Sequence, residues 1–177
     1  MTRSLVPTLL VLAVLTSFAT PAAAQGGGGF FGPGTTYGEP TQVLSANPFG
    51  LVMDFYNAEY ELKVAEAVTA GVGASRRGWI VFGESQEKPR LNSDLFVRYY
   101  PGGNAFNGLA IGVKVGATRM PRDGTFPGIG FDLNHSYAIT DHAVLSSGIG
   151  MKRLIGRDTY AGLTTITTLR LNIGLGF

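Results

Sequence analysis

From Tyr56 the chain alternates. Tyr56, Ala58, Tyr60, Leu62 and Val64 fall on one side of an extended backbone, and Asn57, Glu59, Glu61 and Lys63 fall on the other. A period of two is what a β-strand, and not a helix, sorts onto two faces. The pattern returns with Val68, Ala70, Val72 and Ala74 opposite Thr69, Gly71, Gly73 and Ser75, and again with Leu95, Val97 and Tyr99 opposite Asp94, Phe96 and Arg98. Residues 109–117, 129–139 and 143–151 repeat it. Residues 165–177 close the chain with Leu169, Leu171, Ile173, Leu175 and Phe177 opposite Thr168, Arg170, Asn172, Gly174 and Gly176. Seven strands with one pattern are predicted. No apolar run reaches the roughly 18 residues that a membrane-crossing helix requires.

Glycine and charge share one face of these strands, while Leu, Ile, Val and aromatic residues fill the other. A soluble sandwich or a lipocalin buries its apolar face; a barrel in a bilayer turns that face outward and keeps the polar one for its lumen. The polar face carries five bases, Lys63, Arg98, Lys114, Lys152 and Arg170, and four acids, Glu59, Glu61, Asp94 and Asp132. An apolar core does not tolerate nine charges, whereas a lumen can pair them. Single-chain bacterial barrels have even strand numbers, so residues 41–48 (TQVLSANP) are the expected first strand. The expectation is an all-β, eight-stranded antiparallel up-and-down transmembrane β-barrel over residues 41–177, with a lumen filled by side chains. Its hairpins are expected to pair Val64 with Val68, Ile139 with Ala143, and Tyr99 with Leu109, the last placing Asp94 opposite Lys114.

Residues 1–24 have Arg3 as their only charge, an apolar run at 9–15, and Ala22-Ala23-Ala24 before Gln25, the order of a secretory signal. Residues 25–40, with Gly26 to Gly29, Gly32, Pro33, Gly34 and Gly38, read as a flexible leader. The whole chain of 177 residues is 45% hydrophobic and 15% charged, which excludes a disordered protein, and its 26 glycines follow no G-X-Y period, which excludes collagen. With no cysteine there is no disulfide, thiolate metal site or cysteine nucleophile. The formal net charge of +2 does not mark a nucleic-acid binder. The two histidines offer no metal constellation, and neither metal nor cofactor is expected.

Four motifs carry a resemblance: Asn47-Pro48 near the first strand, Tyr60-Glu61 in the second, Arg98-Tyr99-Tyr100-Pro101 at the end of the fourth, and the closing Leu171, Ile173, Leu175, Phe177 pattern. On these, residues 41–177 resemble the small eight-stranded outer-membrane β-barrel proteins of the OmpA-like grouping, and in particular its uncharacterised outer-membrane β-barrel domain families. The resemblance implies export to the outer membrane and a monomer in contact with outer-membrane lipid and lipopolysaccharide. It also implies that the closing pattern is read by the barrel-assembly machinery. A cell-wall tether of the full OmpA type is not implied.

With both termini periplasmic, the third, fifth and seventh strands run outward, and each ends in an arginine on the apolar face: Arg76, Arg119 and Arg153. Arg77, Lys88, Arg90, Arg122 and Arg157 join them at the outer ends, against Glu84, Glu87, Asp123 and Asp158. Such a basic collar suits the phosphates of lipopolysaccharide, which guanidinium binds bidentately. Trp79, with Ile80, Val81 and Phe82, extends the third strand as an aromatic girdle. One pair breaks the apolar face, His135 opposite Ser147. Lipid A deacylases use an outward Ser, His and acid, but their His-x-Ser motif would need serine where Tyr137 stands, and no acid shares this face. An enzyme is therefore not expected; a lipid-modifying barrel of that type and a lipocalin-like soluble carrier are the alternatives.

Overall fold

The computed structural model describes residues 28–29, 32–33, 40–49, 55–77, 90–120, 124–156 and 165–177. The chain forms two units, Met1–Thr36 and Tyr37–Phe177. In the first, an antiparallel ladder pairs Gly28 with Pro33 and Gly29 with Gly32. The expected secretory signal and most of the glycine-rich leader lie outside the described residues.

The second unit holds eight strands: β1 (Gln42–Ala46), β2 (Phe55–Ala65), β3 (Val68–Arg77), β4 (Arg90–Tyr99), β5 (Gly108–Met120), β6 (Gly124–Thr140), β7 (Ala143–Leu154) and β8 (Thr165–Gly176). Each pairs antiparallel with its neighbours in sequence, and β8 pairs with β1, so the sheet is a closed up-and-down barrel. Alternation explains the strands, and chain chemistry explains where they stop. β1 has five residues because Asn47-Pro48 follows. Pro48 has no N–H to continue the ladder, and the Asn47 side chain accepts the Phe49 N–H at 2.8 Å to start a turn. β8 therefore pairs with β1 in register at positions 173–176, with Phe177 bonded to Gln42 just beyond, while along its other edge it pairs with β7 from 165 to 175.

The expected faces hold in every hairpin. Tyr60 lies opposite Val72, Tyr56 opposite Arg76, Leu133 opposite Ile149 and Phe131 opposite Met151. The structure corrects the expected register at three places. Two are tight turns: Ala65 pairs with Val68 and Thr140 with Ala143, each after a bulge, so the connections are the dipeptides Glu66-Ala67 and Asp141-His142 and not three-residue loops. A bulge absorbs one residue and raises the local twist, which suits a tight hairpin at a barrel rim.

The third correction is larger. Tyr99 pairs with Ile111 and not with Leu109, so Asp94 faces Gly116, and Lys114 faces Phe96. The cause lies in residues 100–107, which turn into the barrel mouth. The Tyr100 N–H donates to the Ala67 carbonyl at 2.8 Å and the Ala105 N–H to the Glu66 carbonyl at 2.8 Å. Tyr100 and Phe106 are buried with ring centroids 6.4 Å apart, and Gly108, at φ 96°, leads back into the wall. The slip is of two residues, so every side chain keeps its face.

Candidate functional site

Eight of the nine predicted lumen charges form one balanced interior cluster, four acids and four bases. Arg98 is its centre: Nη1 donates to Glu61 Oε2 at 2.7 Å, and Nη2 reaches Glu59 Oε2 at 3.0 Å and Asp132 Oδ2 at 3.1 Å. Its guanidinium lies 3.7 Å from the centroid of the Phe96 ring, a cation–π contact between buried groups. Arg170 of β8 reaches past the short β1 to β2, with Nη2 3.0 Å from Glu59 Oε2 and 3.3 Å from Glu61 Oε2. Lys152, and not Lys114 as expected, pairs with Asp94, at 2.6 Å, and Lys114 Nζ donates to Thr168 Oγ1 at 2.8 Å. Glu61 also accepts from the Thr69 hydroxyl. Lys63, the ninth, sits at the mouth, paired with the turn residue Glu66 at 3.0 Å.

The glycines make this packing feasible. Each of the eight central charges lies directly opposite at least one glycine of an adjacent strand. Arg98 and Asp132 share Gly112, Lys114 and Lys152 share Gly130, Arg170 faces Gly148, Glu59 and Asp94 face Gly73, and Glu61 faces Gly71. A Cβ at Gly112 would stand 3.0 Å from Arg98 Cγ, too close for ordinary contact. A narrow eight-stranded barrel accommodates a long side chain from one strand only where its neighbour supplies none.

Apolar residues close the lumen at both ends. Val43, Tyr100, Ala105, Phe106, Ala110 and Val144 cluster at the end where β1 starts and β8 finishes; Met120, Leu154 and Ile166, with Phe126 against them, cluster at the other. In the turn after β4, burial pushes the Tyr100 phenol up to about 12, so it remains a hydrogen-bond donor, 3.4 Å from Glu61 Oε1. Among the charges lies a cavity of about 40 Å³ bounded by Glu59, Asp132, Asn134 and Arg170, room for water-sized guests only. Planar-bilayer recordings of the intact protein are expected to show no large steady channel. A stable open conductance comparable to a general porin would contradict the packed lumen.

The outward arginines lie where alternation put them. Arg76, Arg119 and Arg153 are exposed at the ends of β3, β5 and β7 remote from the start of β1 and the end of β8. Arg76 and Arg119 flank Leu91 in register, and Arg153 lies between Ile129 and Thr165. With a rise of about 3.3 Å per residue and a tilt of roughly 40°, these registers bring the three to within about 6 Å of one height. Arg76 lies over the Tyr56 ring, 5.6 Å from its centroid. Arg77 and Arg90 are paired in backbone register at the adjoining ends of β3 and β4. The loop bases Lys88, Arg122 and Arg157, the loop acids Glu84, Glu87, Asp123 and Asp158, and the Trp79 girdle lie outside the described residues. His135 does face Ser147, with its ring 4.2 Å from that of Tyr137, but its Nδ1 is buried and has no hydrogen-bond partner among the described residues. The Phe177 carbonyl of the closing pattern accepts the N–H groups of Thr41 at 3.1 Å and Gln42 at 2.9 Å, and the Phe177 N–H donates back to the Gln42 carbonyl at 3.0 Å.

No protein-family model, curated protein or solved structure matches the chain. The site therefore rests on geometry. Sequence reasoning missed the two apolar caps, although parity alone puts Val144, Leu154 and Ile166 on the inward face. It also missed the pairing of bulky with glycine positions, which is visible only once register is known.

Proposed function

We propose that this chain is an integral outer-membrane β-barrel with a side-chain-plugged lumen, acting in a structural or surface-interaction role and touching lipopolysaccharide at its outer rim. The observation that carries this reading is inverted polarity. Lys152, Arg98 and Glu61 are 0%, 1% and 2% exposed, while Val113, Leu95 and Phe131 on the outer wall are 63%, 59% and 59% exposed. In water a contiguous apolar belt of that kind forfeits about 25 cal/mol for each Å² left wet. A bilayer removes the penalty, and the closed sheet leaves few backbone groups in need of water.

Strand length supports the same environment. β2 to β8 have 10 to 17 residues, and a tilted strand needs about 9–11 to cross. The ends differ as well. The start of β1, the end of β8 and the connections Glu66-Ala67, 100–107 and Asp141-His142 share one end, which is the periplasmic one in barrels of this kind, so the three arginines belong to the outer leaflet. The resemblance to the OmpA-like grouping is consistent with that orientation. The test is cell fractionation with gel migration before and after boiling. The protein is expected in the outer-membrane fraction, running as a compact SDS-resistant species until heated. Recovery in the soluble periplasmic fraction, without heat-modifiable migration, would overturn the reading.

A further inference from the structure

The three rim arginines do not stand on equivalent surfaces. Arg76 is engaged by Tyr56, and Arg119 lies in register between Leu91 and Thr125. Arg153 borders a shallow, open groove on the outer wall, lined by Ile129, Gly130, Phe131, Met151 and Thr165. Register fixes the order along it. Arg153 pairs with Ile129 and Thr165, and two residues deeper Met151 pairs with Phe131 and Thr167. From the outer end inward the surface therefore reads guanidinium and hydroxyl, then large apolar side chains that are exposed. Among the described residues no carboxylate pairs with Arg153.

We propose that Arg153 and this groove form a binding site for one phosphorylated glycolipid of the outer leaflet, its phosphoryl group on the guanidinium and an acyl chain along Ile129, Phe131 and Met151. The inference rests on the orientation and rim contact proposed above and goes further, by singling out one arginine and the exposed apolar surface beside it. Three features select this occupant. The guanidinium is complementary in charge and fork geometry to phosphate. The hydroxyls of Thr165 and Thr167, on the same face, suit a sugar-bearing headgroup. The polar-to-apolar order matches a lipid whose head lies outward and whose chain lies inward. Arg76 and Arg119 then add to general attraction toward anionic headgroups without holding a particular molecule.

The experiment counts lipids retained by the full chain, refolded in neutral detergent, using native mass spectrometry at low and moderate salt. The probes are lipid A, the same lipid with its phosphates removed, and inorganic phosphate. The wild type is expected to hold one lipid A and to bind the dephosphorylated lipid and inorganic phosphate at least about tenfold more weakly, the scale of losing charge-assisted hydrogen bonds. Arg153→Gln, and Thr165→Trp, which fills the groove, should each weaken lipid A binding by a similar factor; Arg76→Gln with Arg119→Gln should change it less than about threefold. Heat-modifiable migration checks that each variant is folded. Unchanged binding in Arg153→Gln or Thr165→Trp, or equal binding of the dephosphorylated lipid, would overturn the groove site. If the Arg76 and Arg119 variant alone lost binding, the groove would be refuted and the rim contact would stand. If all three arginines could be replaced without effect, both would fall.

Discussion

Replacing Arg98 with methionine is expected to destabilise the refolded barrel by about 3–5 kcal/mol, the usual cost of leaving buried charges without their partner. Arg98 is 1% exposed and holds Glu59, Glu61 and Asp132 together. Without it, Glu59 and Glu61 retain Arg170, and Asp132 loses its one ion pair among the described residues. The neighbouring glycines prevent a cheap repacking, because methionine reaches none of the three carboxylates and fills the space left by the guanidinium only in part. Lysine should not restore stability either, since a single ammonium cannot present the fork that engages Glu61 with one nitrogen while Glu59 and Asp132 share the other. Adding Glu59→Gln and Asp132→Asn to Arg98→Met should recover part of the loss by removing the stranded charges. Urea unfolding in detergent micelles measures all three variants. A change below about 1 kcal/mol for Arg98→Met would show that the cluster is solvated and not a packed centre.

Deleting Phe177 is expected to reduce the yield of folded, protease-resistant barrel several-fold. The seam between β1 and β8 is the weakest in the wall, since β1 has five residues and its register with β8 covers positions 173–176. Beyond that register the Phe177 carbonyl accepts from Thr41 N, Gln42 N and the Thr41 hydroxyl at 2.9 to 3.1 Å. Removing the residue takes away these bonds and the exposed ring together. The two contributions separate experimentally. Phe177→Ala keeps the backbone bonds, so it should refold well from urea into micelles and fail mainly in cells, where the aromatic end of the closing pattern would be read by the assembly machinery. Normal yields of the deletion variant in cells would contradict both the seam argument and the proposed assembly role of Leu171, Ile173, Leu175 and Phe177.

Much of this architecture is legible in the sequence because a strand writes its two faces at period two. Glu59, Arg98, Lys114, Asp132 and Arg170 could be assigned to the interior, and Val113 and Phe131 to the outer wall, without knowing what lies beside them. Partners are harder, since they depend on register, and register depends on connections. The dipeptide turns after β2 and β6 shed one residue each as a bulge, which leaves no mark in the hydrophobic pattern. Residues 100–107 fold inward through contacts of Tyr100 and Phe106 that a pattern of alternation does not contain, and the resulting two-residue slip moved Asp94 from Lys114 to Lys152. The groove beside Arg153 depends on how the side chains of three adjacent strands fill the outer wall, so periodicity could locate its members and not their shape.

The central claim is that the wall faces lipid and the interior is packed, and site-directed labelling tests it most directly. The chain contains no cysteine, so single substitutions along β5 report one position at a time. Cysteines placed at the exposed positions Ile111, Val113 and Val115 and at the buried position Ala110 would be treated, in outer-membrane vesicles, with a charged, water-soluble maleimide, which adds only to a thiolate in contact with water. Cysteines at 111, 113 and 115 are expected to resist labelling in the membrane and to react once the vesicles are dissolved and the protein is unfolded, and the cysteine at 110 to react on unfolding only. Rapid labelling of 113 in the folded protein within intact membranes would place the apolar wall in water and contradict a lipid-facing wall.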